Sequence, residues 1–234
     1  RVPSLAGASR YSFAEAAVAN GLDDPAQLVS DVSDLIERWR IDTLIPITEA
    51  SLLALLPERT ALGVCIPWPD IAVFNAVADK RALLAQAASV GIAVPRQTVL
   101  GTREDASALD PETLDYPLVL KPSRSVGEHK GQRVSLGVRH VATAGALRAE
   151  ISELGDAAFP LLLQQRIVGP GIGIFLLVWD GKLLATFAHR RLREKPPSGG
   201  VSVYSESVAA DEELVERSRA LLELMHWCGV AMVE

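Results

Sequence analysis

The spacing of apolar and polar positions in the first part of the chain predicts two helices with a strand between them. Apolar residues recur at helical spacing from about Pro25 to Trp39 and again from Glu49 to Leu56. The segment Asp42–Pro46 lies between them and is a short apolar run bounded like a buried parallel strand. This alternation is typical of the end of a doubly wound α/β unit.

The pattern changes at Pro-Trp-Pro-Asp, residues 67–70, where prolines interrupt an apolar segment. We therefore place a domain boundary nearby and predict a partial Rossmann-like α/β domain over residues 1–72, with a second domain over residues 73–234. Helices and antiparallel hairpins are mixed in the second domain, which indicates an α+β arrangement. Its predicted elements are a helix between Asp79 and Gly91, strands at 117–121, 133–141 and 161–168, a helix at 143–154, strands at 172–179 and 182–189 around Asp180-Gly181, a strand at 201–207, a helix at 211–227 and a last strand at 229–234.

Composition excludes several classes of protein. Hydrophobic residues make up 49% and charged residues 22% of the 234 residues, as in ordinary globular chains. The net charge of −6 argues against nucleic acid as the main partner. No apolar run approaches the roughly 18 residues that span a bilayer, and the first residues lack a signal-peptide pattern. We expect a cytoplasmic protein with no membrane partner, and the pattern gives no indication of its oligomeric state.

Cysteine usage and the two ends of the chain lead to two further expectations. Cys65 and Cys228 stand far apart in apolar surroundings, so we expect two buried thiols and neither a disulfide nor a zinc site. The chain has no initiator methionine, and its last strand pattern runs on to Glu234 without a turn. We therefore expect a fragment truncated at both ends.

Lysines in structured positions are candidates for anion binding, because the chain has only five lysines against eighteen arginines. Lys121 ends an apolar strand and leads into a Ser/Gly loop at residues 123–131, a combination that suits a polyphosphate. The alternative is a strand-end lysine that extends to water. Lys80, beside Asp79 at a helix start, has the plainer alternative of a solvated residue in the first turn.

A second cationic segment lies at 189–195, followed by the Pro-Pro-Ser-Gly-Gly loop. Strand alternation places His189, Arg191 and Arg193 on one face, and three cations there favour a bound phosphate or carboxylate. The alternative is a solvated strand edge whose charges prevent aggregation. The sequence contains no P-loop and no nucleophile elbow, its histidines lack metal-ligand spacing, and Gly169–Gly173 is not followed by the helix that a dinucleotide-binding turn needs.

Taken together, these motifs resemble the ATP-grasp superfamily, and most of all its carboxylate–amine ligases of the carbamoyl-phosphate synthase and biotin carboxylase type. The resemblance runs from about Val73 to Glu234, and the part before it resembles the α/β domain that precedes the ATP-grasp fold. The motifs that carry it are Asp79-Lys80 at a helix start, Val94-Pro95, the strand that ends in Lys121, Leu-Leu-Gln-Gln-Arg-Ile-Val-Gly at 162–169, His-Arg-Arg-Leu-Arg-Glu at 189–194 with Pro-Pro-Ser-Gly-Gly at 196–200, and Val-Ala-Met-Val-Glu at 230–234.

The resemblance implies a function and a role for each candidate residue. The function is that of an ATP-dependent ligase, with ATP and Mg²⁺ as cofactors, which activates a small carboxylate as an acyl-phosphate for attack by an amine. The alternative is a non-catalytic nucleotide-binding module for regulation or assembly. The implied residues are Lys80 and Lys121 on the phosphates, Ser123, Ser125 and Gly127 in the loop that covers them, Gln164, Gln165 and Ile167 in the hinge that binds adenine, His189 and Arg191 at the acyl-phosphate, and Glu234 as a magnesium ligand.

Two positions depart from the family pattern. Gly171 stands where many relatives have a glutamate that binds ribose, and the loop at 123–131 has fewer glycines than is usual. The second metal carboxylate and the asparagine of the family would lie beyond Glu234.

Overall fold

The computed structural model describes residues 4–196 and 200–234, and the chain divides into two compact units, of which the first ends at Ile66 and the second begins at Pro67. Residues 197–199 of the predicted Pro-Pro-Ser-Gly-Gly loop lie outside the described residues. Within the described part, no helix is both long and apolar enough to cross a membrane.

The described part of the first unit is helical. Its helices are α1 Pro25–Trp39, α2 Glu49–Leu55 and α3 Arg59–Leu62. The side chain of Asp24 caps α1, and Thr48 caps α2 in the same way, so the two predicted helices are confirmed.

The prediction of a strand at 42–46 is wrong. Among residues 4–66, Thr43 forms a single parallel bridge with Cys65 and no ladder. A strand of a parallel sheet is stabilised by partners on both sides, and this segment has one bridging residue beside it. The Rossmann-like arrangement is therefore not confirmed. Cys65 is exposed, contrary to prediction, because its neighbour Ile66 takes the buried side of the extended segment.

The second unit mixes helices with antiparallel strands, as the sequence predicts. Its elements are α4 Ile71–Ala78, α5 Lys80–Ser89, β1 Gln97–Leu100, α6 Arg103–Ala108, β2 Leu118–Pro122, β3 Val126–His129, β4 Gln132–Ser135, β5 Arg139–Val141, α7 Ala144–Glu153, β6 Leu161–Gln165, β7 Ile172–Trp179, β8 Lys182–Lys195, β9 Val201–Val208, α8 Glu212–Leu224 and β10 Gly229–Val233. Short 3₁₀ helices lie at Pro111–Thr113 and Asp156–Ala158.

The strands β1, β6, β2 and β5 form the first sheet in that order, and all of its pairings are antiparallel. Its core contains Leu120, Leu161 and Leu163 from the two central strands and Leu147 from α7. These leucines are at most 2% exposed, so β2 and β6 are held firmly in register.

The second sheet has the order β10, β7, β8, β9 and is also antiparallel. One face packs on α8 through Ile174, Leu176 and Leu222, and Val73 and Val77 of α4 contact the same core. Asp180-Gly181 forms the predicted hairpin turn with positive φ at both residues. Alternation along the strands leaves the opposite face of this sheet away from that core.

Three predicted boundaries in this unit are wrong. The strand predicted at 133–141 is two strands, since β4 pairs with β3 and β5 pairs with β2. The predicted polar loop at 123–131 contains β3 and its turn, in which Lys130 and Gly131 have positive φ. The strand predicted to end at His189 continues to Lys195 because β9 pairs with it that far.

Candidate functional site

The start of helix α5 is bound to the segment that follows β2. Asp79 ends α4 and caps α5: its Oδ1 accepts hydrogen bonds from the N–H groups of Arg81 and Ala82 at 3.0 and 3.3 Å. The same oxygen accepts the hydroxyl of Ser123 at 2.6 Å. The N–H of Lys80 donates to the carbonyl of Ser123 at 2.9 Å. The helix start and the end of β2 are thus joined by side chain and backbone.

The side chain of Lys80 extends along the same loop. Its Nζ donates to the hydroxyl of Ser125 at 3.0 Å, and the carbonyl of Ser125 accepts the N–H of Leu136 at 2.8 Å. Ser123 is 3% exposed, and its N–H donates to the carbonyl of Pro160 at 2.8 Å. Ser123 therefore uses its polar groups within the protein, and Lys80 and Ser125 lie at the edge of this network.

Lys121 lies four residues along β2, opposite Leu162 of β6. The preceding residues Leu118, Val119 and Leu120 are buried, whereas Lys121 is half-buried. In the described part of the chain its ammonium forms no ion pair. An unpaired, partly desolvated cation at the end of a rigid strand favours an anionic ligand.

Gly127 lies in β3 beside a cavity of about 420 Å³. A side chain at Gly127 would come within 3.0 Å of the carbonyl oxygen of Ala157, so glycine permits the hairpin to approach the segment 156–158. The cavity also has Asp79 and Ser123 in its wall, next to the network at the start of α5.

The predicted hinge begins inside the first sheet. Gln164 pairs with Gln97 and Val119 on its two sides, and its buried amide donates to the side chain of Gln97 at 2.9 Å. The N–H of Gln165 donates to the carbonyl of Arg96 at 2.8 Å. Ile167 lies beyond the end of β6 and is 66% exposed. A role in adenine binding stays a prediction for all three hinge residues.

The second sheet brings three predicted site residues together. His189 on β8 lies opposite Gly173 on β7, and the strand register places Glu234 beside Gly173 on the other side. Arg191 lies two residues along β8 from His189 on the same face. This is the face directed away from α8, so one surface carries an imidazole, a guanidinium and a carboxylate.

The imidazole of His189 lies over Gly173. A Cβ at Gly173 would be 2.8 Å from Nε2 of His189 and 3.1 Å from Sδ of Met232, so only glycine leaves this space open. The ring of Phe175 meets the imidazole edge to face at 5.1 Å. Nε2 is buried, and within the described residues it forms no hydrogen bond.

Arg191 is the centre of a charged group. Its guanidinium contacts the carboxylate of Glu234, donates to Glu194 at 3.3 Å and donates to the carbonyl of Gly200 at 3.3 Å. Glu194 in turn accepts the N–H of Gly200 at 3.2 Å. A Cβ at Gly171 would come within 2.9 Å of Cδ of Arg191. The aliphatic part of the arginine therefore fills the space above Gly171.

The prediction that Arg193 shares the face of His189 and Arg191 is wrong. The register of β8 against β9 shifts after Arg191, so Arg191 lies opposite Ser205 and Arg193 opposite its neighbour Tyr204. Adjacent residues of a strand point to opposite faces, so the bulge turns Arg193 away. Two carboxylates, rather than further cations, surround Arg191.

The charge of the Asp79 carboxylate is set mainly by its hydrogen bonds. Burial opposes the ionisation of Asp79, but the hydroxyl of Ser123, the N–H groups of Ala82 and Arg81 and the charge of Arg124 together lower the pKa of Asp79 below its ordinary value of 3.8. The carboxylate is therefore ionised at neutral pH and accepts all of these hydrogen bonds.

Sequence reasoning did not single out Asp79, Gly173 or Glu194 as site residues. Asp79 was identified as a helix cap, and its second role depends on Ser123, which is 44 positions away in the chain. Glu194 reaches Arg191 because of the bulge, which depends on the partner strand. The position of Gly173 also depends on a bulge: the Asp-Gly turn alone would place it opposite Ala188, and the shift in register between Leu177 and Val178 places it opposite His189.

The fold of the chain matches one class of protein. Comparison with solved structures shows that the chain has the fold of the ATP-grasp enzymes, as the sequence motifs predicted. The L-amino acid ligase from Bacillus licheniformis is 18% identical with a TM-score of 0.60, over 89% of this chain and 48% of the ligase. The biotin carboxylase from Campylobacter jejuni is 16% identical with a TM-score of 0.65, over 87% of this chain and 47% of the carboxylase.

The curated proteins include a relative in sequence as well. Cyanophycin synthetase from Trichormus variabilis is 25% identical over an alignment 207 residues long, gaps included, that covers 77% of this chain. The match covers 21% of the synthetase, so the chain spans about a fifth of the length of this relative. No protein-family model matches the chain. These similar proteins are ATP-dependent ligases that form C–N bonds.

Proposed function

We propose that this chain belongs to an ATP-dependent ligase that joins a small carboxylate to an amine. In the first step a carboxylate oxygen attacks the γ-phosphorus of ATP and the bond to the β-phosphate breaks, which gives an acyl-phosphate and ADP. In the second step the amine nitrogen attacks the acyl carbon, phosphate leaves and the nitrogen loses a proton. The observation that carries the proposal is the surface of His189, Arg191 and Glu234 on a fold whose relatives form C–N bonds.

Both steps require positive charge more than a covalent nucleophile, because charge develops on phosphoryl oxygens in the transition state. Lys80 and Lys121 are proposed to hold the phosphates, with Ser125 and Gly127 in the hairpin that covers them. The backbone near Gln164, Gln165 and Ile167 is proposed to bind adenine. Ser123 is proposed to hold the phosphate-binding loop in place, since its hydroxyl, N–H and carbonyl all form hydrogen bonds within the protein.

Arg191 is the residue proposed to bind the carboxylate and then the acyl-phosphate. Its guanidinium is 16% exposed and is already directed at carboxylates, those of Glu194 and Glu234. A guanidinium forms two parallel hydrogen bonds to a carboxylate or phosphate, which orients that group. His189, on the same face, is proposed to contact the transferred phosphoryl group.

Magnesium fits the donor chemistry of Glu234. The ion prefers oxygen ligands and is commonly held by one or two carboxylates together with substrate phosphates. Within the described residues no group of three or more His, Cys, Asp or Glu side chains could hold a metal by itself, so the nucleotide would have to supply further ligands. When bound, the ion would neutralise charge on the phosphates, and Arg191 would remain beside Glu234 to orient the carboxylate.

The test is phosphate release from ATP by the full-length protein, measured with panels of amino acids and other small carboxylates and amines. The ligase proposal expects release that requires ATP and a carboxylate together, and loss of that release in Arg191→Ala. Arg190→Ala is the matched control, because Arg190 is paired with Glu206 across the β8–β9 ladder. ATP binding without any release stimulated by these substrates would contradict the ligase proposal.

The second candidate is a nucleotide-binding module that does not turn over. The ion pair between Arg191 and Glu234 favours it, because this arginine already neutralises the carboxylate without a metal. It predicts that Arg191→Ala leaves the function of the protein in cells intact. Loss of function with the fold preserved would exclude it.

A further inference from the structure

The hydrogen bond between Asp79 and Ser123 joins the two sheets of the second unit. Asp79 is the single residue between α4 and α5. On one side, Val73 and Val77 of α4 pack on the core of the second sheet. On the other side, Ser123 directly follows β2 of the first sheet, two residues beyond Lys121. A shift at Asp79 therefore changes how the first sheet is fixed to α4, which packs on the core of the second sheet.

The contact is built to be rigid. Ser123 is 3% exposed, its hydroxyl lies 2.6 Å from Oδ1 of Asp79, and its N–H and carbonyl are bonded to Pro160 and Lys80. A nearby second link supports it, since Nη2 of Arg124 donates to the carbonyl of Asn75 in α4 at 3.2 Å. Buried hydrogen bonds to a charged acceptor are stronger than neutral ones and hold their partners in a defined geometry.

The two lysines proposed for phosphate binding lie on either side of this contact. Lys80 is the first residue of α5, directly after Asp79, and Lys121 is near the end of β2. The backbone N–H of Lys80 donates to Ser123, so the contact fixes the backbone of Lys80 relative to that of Lys121. Two point charges bind a polyphosphate well only at the separation that suits its oxygens.

We infer that Asp79 is a positioning residue that sets the separation of Lys80 and Lys121 and, through it, the affinity for the triphosphate of the nucleotide. The inference rests on the proposed function, since it assigns no ligand beyond ATP. Asp79 itself contacts no phosphate, because a carboxylate there would repel one.

The test uses the full-length protein and two probes, a non-hydrolysable ATP analogue with Mg²⁺ and adenosine without phosphates. Asp79→Ala is expected to weaken binding of the analogue by about tenfold or more, as displaced groups do in oriented sites. Binding of adenosine is expected to stay unchanged. Asp79→Asn retains an oxygen acceptor for Ser123 and the helix N–H groups, so it is expected to restore most of the affinity.

Two further variants separate positioning from loss of folding. Ser123→Ala removes the hydroxyl and leaves Asp79 as a helix cap. We expect it to weaken binding of the analogue as Asp79→Ala does. The variant with both substitutions is expected to bind little more weakly than either single variant. Asp70→Ala is the matched control, because Asp70 caps α4 through the N–H of Val73 at the end of that helix opposite Asp79. It is expected to bind both probes like the wild type.

The outcomes distinguish this inference from the proposed function. If the wild-type protein does not bind the analogue, the nucleotide site fails and the inference fails with it. If Lys121→Ala loses affinity while folded Asp79→Ala and Ser123→Ala bind normally, the site stands and the positioning role is wrong. The positioning role would also be overturned if Asp79→Ala weakened binding of adenosine as much as binding of the analogue, or if Asp79→Asn did not restore affinity for the analogue.

Discussion

The guanidinium of Arg191 on β8 contacts the carboxylate of Glu234, which directly follows β10, and the two strands are separated by β7. The pair spans the face of the second sheet on which His189 also lies. The residue proposed to bind the substrate carboxylate thus touches the residue proposed to bind magnesium. Each of the two groups has a charged partner before any ligand arrives.

This pairing predicts the effect of Glu234→Gln. We expect the variant to bind the ATP analogue with an affinity that no longer rises with Mg²⁺, because an amide is a poor ligand for that ion. We expect Mg²⁺ to raise the affinity of the wild type by about tenfold or more, which corresponds to a charged contact of about 1.4 kcal/mol or more. Titration calorimetry with and without Mg²⁺ measures both. Glu206→Gln, which breaks the pair with Arg190, is the control, and full Mg²⁺ dependence in Glu234→Gln would contradict the assignment.

Gly173 is predicted to be necessary for the packing of His189. Gly173→Ala places a Cβ 2.8 Å from Nε2 of His189, and we expect it to lower the free energy of unfolding by about 1 to 3 kcal/mol. Urea unfolding measures this cost. In a His189→Ala background the main clash is absent, so the cost is expected to fall by about half or more. An unchanged cost would show that the strain has another origin.

The lowered pKa of Asp79 predicts a pH dependence of stability. Because the pKa is lower in the folded chain than its ordinary value of 3.8, the contribution of Asp79 is fully present above that value and is lost as the pH falls through the folded pKa. We expect Asp79→Asn to reduce the loss of stability between about pH 5 and pH 2. Ser123→Ala is expected to reduce it too, since it removes a hydrogen bond that lowers this pKa. If both variants lost as much free energy of unfolding as the wild type over this pH range, the assignment would be contradicted.

Gly145 offers a stabilising substitution away from the site. It lies in the first turn of α7, with negative φ, and a Cβ there would meet no atom within 4 Å. Gly145→Ala is expected to raise the free energy of unfolding by about 0.5 to 1 kcal/mol, because alanine loses less backbone entropy in a helix. Thermal unfolding checks the sign, and a lowered midpoint would contradict the geometry of α7.

Elements that depend on local pattern could be predicted from the sequence. The helix capped by Asp79, the strand that ends near Lys121 and the hairpin at Asp180-Gly181 follow from periodicity and turn chemistry. The predicted strand at 42–46 failed because an apolar run becomes a strand only where partner strands exist. Local pattern describes one segment and carries no information on its partners.

The site was predicted in part for the same reason. Strand alternation places His189 and Arg191 on one face, and the structure agrees. It also predicted Arg193 there, but the bulge before Arg193 depends on the register of β9. The contact of Asp79 with Ser123 joins residues 44 positions apart, a relationship that no local spacing indicates.

The central claim is that Lys121 and its neighbours bind the phosphates of ATP. It is tested most directly by titration calorimetry of a non-hydrolysable ATP analogue with Mg²⁺ into the full-length protein, its Lys121→Ala variant and the control Lys182→Ala. Lys182 is an exposed lysine beside the hairpin turn of the second sheet, whereas Lys121 belongs to the first sheet. We predict that the wild type and Lys182→Ala bind alike and that Lys121→Ala binds about tenfold or more weakly. Equal binding by all three folded proteins, or no binding by the wild type, would contradict the claim.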